Sequence, residues 1–118
     1  MTQSSPLSSA FPALPNVSAA SVRVSRAHYK QWDRCDLTFV ELCEGTTVAG
    51  VTTQSRCPSP DVEWCRDALT HGKARALIVN AGNANAFTGN RGRAAVEAIA
   101  AKVSGHLGCE PREVFIAS

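Results

Sequence analysis

The pattern of apolar positions predicts four strands. Residues 36–42 (DLTFVEL) and 46–51 (TTVAGV) are rich in residue types that favour strands, and only the tripeptide CEG separates them. A short connection that contains glycine suits a tight turn, so we expect a hairpin or an adjacent strand pair here. Two brief apolar runs, 75–79 (RALIV) and 113–117 (EVFIA), predict single strands further along the chain.

Two other segments carry the signals of helices. Ser59 and Pro60 supply an N-cap and a first-turn proline for a helix over 62–70, and Gly72 can end it. Residues 91–107 have apolar side chains at spacings of three and four, which places them on one helical face. The alternation of strands and helices predicts an α/β fold, with a mixed sheet and flanking helices.

Residues 1–20 differ from the rest, since they are rich in Ser, Pro and Ala and contain no charged side chain. We expect a flexible N-terminal arm here, followed by one α/β segment over 21–118. The opening has no basic region and no continuous apolar stretch of a secretory signal. No apolar run approaches the roughly 20 residues that span a bilayer, so we expect a cytoplasmic protein without membrane contact.

Charge and cysteine spacing argue against several kinds of site. Twelve basic and ten acidic residues give a formal net charge of +2, and the scattered basic residues do not favour nucleic-acid binding. Five cysteines without a C-x-x-C pair are more consistent with reduced, partly buried thiols than with disulfides. The three histidines lie far apart, so no metal site is expected. Cys57 follows Arg56, but an ordinary thiol is the simpler interpretation.

The most informative segment is 80–89 (NAGNANAFTG), directly after the strand predicted at 75–79. Asn and Gly tolerate positive φ, so this loop can turn sharply and present amides at the carboxyl end of a strand, where α/β proteins bind ligands. The candidate binding or active-site residues are Asn80, Gly82, Asn83 and Asn85. Two other roles stay open: a plain turn that caps the next helix through Thr88 or Asn90, and a weak small-anion site. No phosphate-binding glycine motif and no G-x-S-x-G elbow is present.

Three stretches resemble the ornithine acetyltransferases, also called glutamate N-acetyltransferases (the ArgJ family). The segment RALIVNAGNANAFTG (75–89) is similar to the family's N-x-G-x-A-N-A-x-T-G signature after a strand. The segments at 36–57 and 60–69 are similar to its DL-(apolar)-EG-(T)-VAGVFTQN-R and P-V-x-x-C-R-x-x-L stretches. Together the resemblance covers about 36–118, most of the chain.

The resemblance implies a partial domain of an ArgJ/DmpA-like αββα-type fold and a role in arginine biosynthesis. In the family, N-acetylornithine gives its acetyl group to an enzyme threonine, and glutamate then takes it. The precursor cuts itself before that threonine, and the resulting α and β chains form an α2β2 assembly. No cofactor is implied, although some members use acetyl-CoA as a substrate.

Two parts of the family pattern are missing from these 118 residues. Of the S-T-G-V-I-G-E type segment, whose Thr-Gly pair supports the oxyanion, only Ser118 is present, and the nucleophilic threonine is absent. The resemblance therefore implies a segment truncated at its carboxyl end, with no catalytic residue of its own and no activity alone. Asn83 and Asn85 would support the active-site backbone through side-chain hydrogen bonds. The alternative is a non-catalytic module that uses 80–89 to bind a small anion or a partner.

Overall fold

The computed structural model describes residues 12–118, so the first eleven residues of the predicted arm lie outside the described residues. The elements, in order, are β1 (Ala20–Ser25), β2 (Leu37–Leu42), α1 (Pro60–His71), β3 (Ala76–Asn80), α2 (Gly89–Leu107), a 3-10 turn (Pro111–Glu113) and β4 (Val114–Ala117). The four strands form one sheet in the order β1-β2-β3-β4. β2 is antiparallel to both neighbours, and β3 and β4 are parallel. The predicted α/β class with a mixed sheet is confirmed.

Both helices begin and end close to the residues that the sequence indicated. The Ser59 hydroxyl accepts a hydrogen bond from the Val62 N–H, and Pro60 is the first residue of α1. Gly72 after α1 and Gly108 after α2 adopt the left-handed conformation that closes a helix, with φ of 74° and 66°. These boundaries follow from local capping chemistry.

The predicted pairing of β2 with the segment 46–51 is wrong. That segment forms only an isolated bridge, between Thr47 and Lys73. Two backbone hydrogen bonds, of 3.0 and 3.1 Å, join residues 46–48 to residues 72–74, just before β3. The backbone N–H and carbonyl groups of the segment are therefore bonded there and not to β2. β2 pairs instead with β3 and with β1, a strand that the sequence analysis did not predict.

The core lies between the helices and one face of the sheet. Its buried members are small or β-branched: Ala76, Val96, Ala100, Val114 and Ile116. Side chains of α1 also cover the outer edge of β4. The Trp64 indole N–H donates to the Val114 carbonyl at 2.8 Å, and the Cys65 thiol donates to the Ile116 carbonyl at 3.2 Å. These bonds occupy carbonyls that would otherwise be open to pairing with another strand.

The opposite face of the sheet is apolar, and neither helix packs on it. The register places Val22, Val40, Leu77 and Phe115 in one row across all four strands. On the edge strand β1, Val22 and Val24 are 63% and 59% exposed. An apolar sheet face normally packs on a second layer, as the inner face of one sheet would in an αββα fold.

We expect this open face to make the isolated 118-residue chain self-associate. Introducing charge there, in the double variant Val22→Lys/Val24→Lys, should shift the sedimentation profile towards monomer, because charged side chains on this apolar face oppose face-to-face contact. The matched control, Ser21→Lys/Ser25→Lys, adds the same charge to the other face of β1 and should behave like the unmodified chain. A monomeric, cooperatively unfolding wild-type chain would contradict this expectation.

Candidate functional site

The Asn/Gly loop lies at the carboxyl ends of β3 and β4. Because these two strands are parallel, their carboxyl ends lie on the same side of the sheet. The Asn85 backbone N–H donates a 2.8 Å hydrogen bond to the Ser118 hydroxyl, which joins the loop to the end of β4. The loop therefore occupies the place that the strand order predicted for a ligand site.

Asn85 is the centre of the hydrogen bonding in this loop. Its Nδ2 donates to Asp61 Oδ1 at 2.7 Å and to the Gly92 carbonyl at 3.2 Å. Its Oδ1 accepts from the Thr88 hydroxyl at 2.5 Å. The amide thereby ties the first turn of α1 to the first turn of α2. Thr88 precedes α2 but makes no side-chain cap, so the alternative left open for Thr88, a cap of the next helix, is wrong.

The other three candidate residues have different environments. Asn80 Nδ2 donates to the Asn83 carbonyl at 3.0 Å, which closes the turn. The Asn83 side chain is exposed and makes no hydrogen bond to residues 12–118. Gly82 has a φ of 91°, and a Cβ at this position would lie 2.7 Å from Cζ3 of Trp32. Glycine is therefore required there, because the Trp32 ring packs directly against the backbone.

A second loop, 26–35, is held against this site by Asp36, which is only 3% exposed. Its two carboxylate oxygens accept hydrogen bonds from the N–H groups of Ala27 and Tyr29, at 2.5 and 2.9 Å. Its own carbonyl accepts from the Ala81 N–H at 2.8 Å. Burial alone would raise the pKa of Asp36, but these backbone N–H groups outweigh it and hold the pKa below its ordinary value.

Three of the four candidate residues line one cavity of about 250 Å³. Its polar lining consists of Tyr29, Asp61, Asn80, Asn83, Asn85, Thr88 and Ser118. Its apolar lining consists of Ala84, Ala95, Val96, Ile99 and Ile116. Gly82 is not part of it. A lining of both polar and apolar side chains suits a small polar molecule with a short aliphatic part.

The remaining chemistry of the described residues is sparse. All five cysteines are free; Cys65 and Cys109 are half-buried, and the other three are exposed, so the prediction of partly buried thiols holds for two. Burial raises the pKa of both the Cys65 and the Cys109 thiol, which disfavours the thiolate. Within residues 12–118, no three metal-ligating side chains converge, and no helix is long and apolar enough to cross a membrane.

Comparison with known proteins identifies the family. The model of the ArgJ family matches residues 19–118. The chain belongs to the ArgJ family. It is 55% identical over 115 residues to the arginine biosynthesis bifunctional protein ArgJ of Zymomonas mobilis, and 45% identical over 108 residues to that of Bradyrhizobium diazoefficiens. The matches cover 97% and 91% of this chain but 28% and 26% of those proteins, so the chain spans about a quarter of their length.

Solved structures agree with this assignment. The ornithine acetyltransferase of Mycobacterium tuberculosis, crystallised in complex with ornithine, matches with a TM-score of 0.73 and 30% identity, over 86% of this chain and 56% of that one. The ArgJ protein of Bacillus halodurans matches with a TM-score of 0.78 over 85% of this chain and 53% of that one. At 24% identity the second match shows the fold alone. The predicted family and fold are confirmed.

Substitution of Gly92 tests the close packing around Asn85. A Cβ at Gly92 would overlap the Thr88 hydroxyl and Asn85 Oδ1, so Gly92→Ala should destabilise the fold by about 1–3 kcal/mol. The control, Gly105→Ala, lies in the same helix with open space around its Cβ. It should stabilise the fold by about 0.5–1 kcal/mol through helix propensity. Thermal or denaturant unfolding measures both, and effects of the same sign would contradict the described packing.

The Asp36 anchor should make loop 26–35 sensitive to acid. A carboxylate with a depressed pKa stabilises the fold above the ordinary Asp value of about 3.9, and this contribution disappears as the pH falls through the folded-state pKa. The Trp32 indole NMR signal should therefore move towards its unfolded position below about pH 4. Asp36→Asn should loosen the loop already at neutral pH. Asp67→Asn, which changes an exposed acid outside the loop, should match the wild type, and a native Trp32 signal in Asp36→Asn would refute the anchor.

Proposed function

We propose that this chain is the amino-terminal part of a glutamate N-acetyltransferase. The complete enzyme moves an acetyl group from N-acetylornithine to glutamate in arginine biosynthesis, through an acyl-threonine intermediate. Membership of the ArgJ family supports this proposal, as does the 30% identity to an ornithine acetyltransferase that was crystallised with ornithine. The names of the curated relatives place those proteins in arginine biosynthesis.

The observation that carries the proposal is the hydrogen bond between the Asn85 N–H and the Ser118 hydroxyl. Ser118 is the residue that resembles the first position of the family's oxyanion segment. Contact with it supports a position of the Asn/Gly loop beside the reacting acetyl group of the complete enzyme. The loop would contribute shape rather than proton transfer, because an amide side chain donates and accepts hydrogen bonds but has no useful pKa.

The anion-binding alternative has less support. The donors of the Asn85 amide are already bonded to Asp61 and to the Gly92 carbonyl, so they are not free for a ligand. The Asp61 carboxylate also lines the cavity, where it would repel an anion. A neutral amide or an ammonium group suits these surroundings better than a phosphate or a sulfate.

The proposed enzyme requires further polypeptide around these residues. The remainder of the same precursor, including the β chain of an α2β2 assembly, would supply the oxyanion donors and the nucleophilic threonine. It would also supply a second layer over the row formed by Val22, Val40, Leu77 and Phe115. The proposed location is the cytoplasm. Acetyl-CoA is a candidate second acetyl donor, and no cofactor is invoked.

Acetyl transfer tests the proposal directly. A full-length ArgJ protein carrying residues 1–118 should convert N-acetylornithine and glutamate into ornithine and N-acetylglutamate, whereas the isolated 118-residue chain should not rise above the uncatalysed background. The Zymomonas mobilis ArgJ protein, assayed in parallel, is the positive control. An inactive full-length protein beside an active control, or turnover by the isolated chain, would refute the proposal.

A further inference from the structure

Asp61 is a buried acid that the sequence analysis did not single out. It is the second residue of α1 and is only 4% exposed. Its Oδ1 accepts the 2.7 Å hydrogen bond from Asn85 Nδ2. Its Oδ2 is buried and has no hydrogen-bond partner among residues 12–118. One of the two oxygens of this carboxylate therefore has no partner in the described part of the chain.

Helix stability alone does not explain this placement. An acid in the first turn interacts favourably with the helix dipole even when it is exposed to water. Glu63, in the same turn, is less buried and forms an ion pair with Arg93 at 2.8 Å. Burial of Asp61 adds a desolvation cost that one hydrogen bond offsets only in part. A buried polar group that lacks part of its hydrogen bonding is expected where it positions another group.

The group that Asp61 positions is the amide of Asn85. A carboxylate can accept a hydrogen bond but cannot donate one, so it selects the orientation in which Nδ2 faces α1. In that orientation Oδ1 faces the Thr88 hydroxyl, as observed. The backbone of the same residue holds Ser118 through its N–H. The orientation of one amide thus links α1 to the end of β4.

Asp61 also lies between two cavities that flank the end of β4. One is the 250 Å³ cavity that the three asparagines line, and the other, of about 350 Å³, is lined in part by Thr52, Thr53 and Cys65. Asp61, Ile116 and Ser118 line both. Loss of the bond between Asp61 and Asn85 would loosen the wall that separates them.

We propose that Asp61 is a positioning residue of the acetyltransferase. It acts through Asn85, and holds the Asn/Gly loop and the end of β4 in the arrangement that acetyl transfer requires. This inference rests on the proposed function as far as the reaction rate is concerned. Its geometric part, that Asp61 fixes Asn85, does not depend on the activity.

The test uses a full-length ArgJ protein that carries this segment, with Asp61→Ala, Asp61→Asn, Asn85→Ala and the double variant Asp61→Ala/Asn85→Ala. Asp67→Ala is the control, since Asp67 is an exposed acid on the same helix. The burst of acyl-enzyme formation counts competent active sites, so that kcat refers only to folded enzyme. KM for N-acetylornithine is measured in the same series.

Asp61→Ala should lower kcat on the order of tenfold while KM changes less than about twofold. Asp61→Asn keeps an oxygen for the Asn85 amide and should stay within about twofold of the wild type. The double variant should be no slower than Asn85→Ala, because both changes remove the same bond. A merely structural role would change the number of competent sites and leave kcat per site unaltered.

Three results would overturn the inference: equal kcat in Asp61→Ala and the Asp67→Ala control, multiplicative losses in the double variant, or Asp61→Asn as slow as Asp61→Ala. Failure of the proposed function would look different, because the unmodified full-length protein would then transfer no acetyl group. In that case amide hydrogen exchange still tests the geometric part. Exchange of the Asn85 N–H should be about tenfold faster in Asp61→Ala and unchanged in Asp61→Asn and Asp67→Ala; unchanged exchange in Asp61→Ala would refute it.

Discussion

The hydrogen-bonded amide of Asn85 is the constraint on which the candidate site depends. Its side chain contacts the first turns of both helices, and its backbone contacts the end of β4. Without these bonds, residues 83–87 would have no hydrogen bond to α1, to α2 or to the end of β4 within the described part of the chain. With them, a loop of small polar residues becomes a fixed wall of a cavity. Gly92 belongs to the same constraint, since any side chain there would occupy the space of the amide.

Two buried aspartates support this region in different ways. Both oxygens of Asp36 accept backbone N–H groups, so the charge is well solvated by the protein and the pKa of Asp36 falls. Asp61 has one partner for two oxygens. The first arrangement is that of a structural anchor, which holds loop 26–35 and Trp32 over Gly82. The second leaves an acceptor unused at the cavity wall, as expected of a residue placed for function at some expense of stability.

The two faces of the sheet differ in how far the helices cover them. On one face, α1 and α2 cover β4 and part of β3, and they enclose a core whose largest fully buried side chains are Val96 and Val114. On the other face, an apolar row crosses four strands without cover from either helix. A single layer of helices on such a sheet buries only half of its apolar surface. This agrees with relatives about three and a half times as long as the chain, since the 115 matched residues cover 28% of the first.

The sequence by itself determined the helices, the strands β2, β3 and β4, and the nature of the Asn/Gly loop. Those features rest on neighbours in the chain: Ser59, Pro60 and Gly72 cap α1 locally, and asparagine and glycine shape a turn through their own backbone preferences. Tertiary structure decided the partners of β2, because strand pairing depends on which backbone groups distant in sequence are still free to bond. Residues 72–74 bond to the backbone groups of residues 46–48, so these do not pair with β2. The alternation of apolar and polar residues in ASVRVS could have indicated β1, but a run of six residues is short evidence for a strand. Only packing distinguishes Asp61 from an exposed acid such as Asp67, since burial and hydrogen-bond partners come from residues far away in sequence.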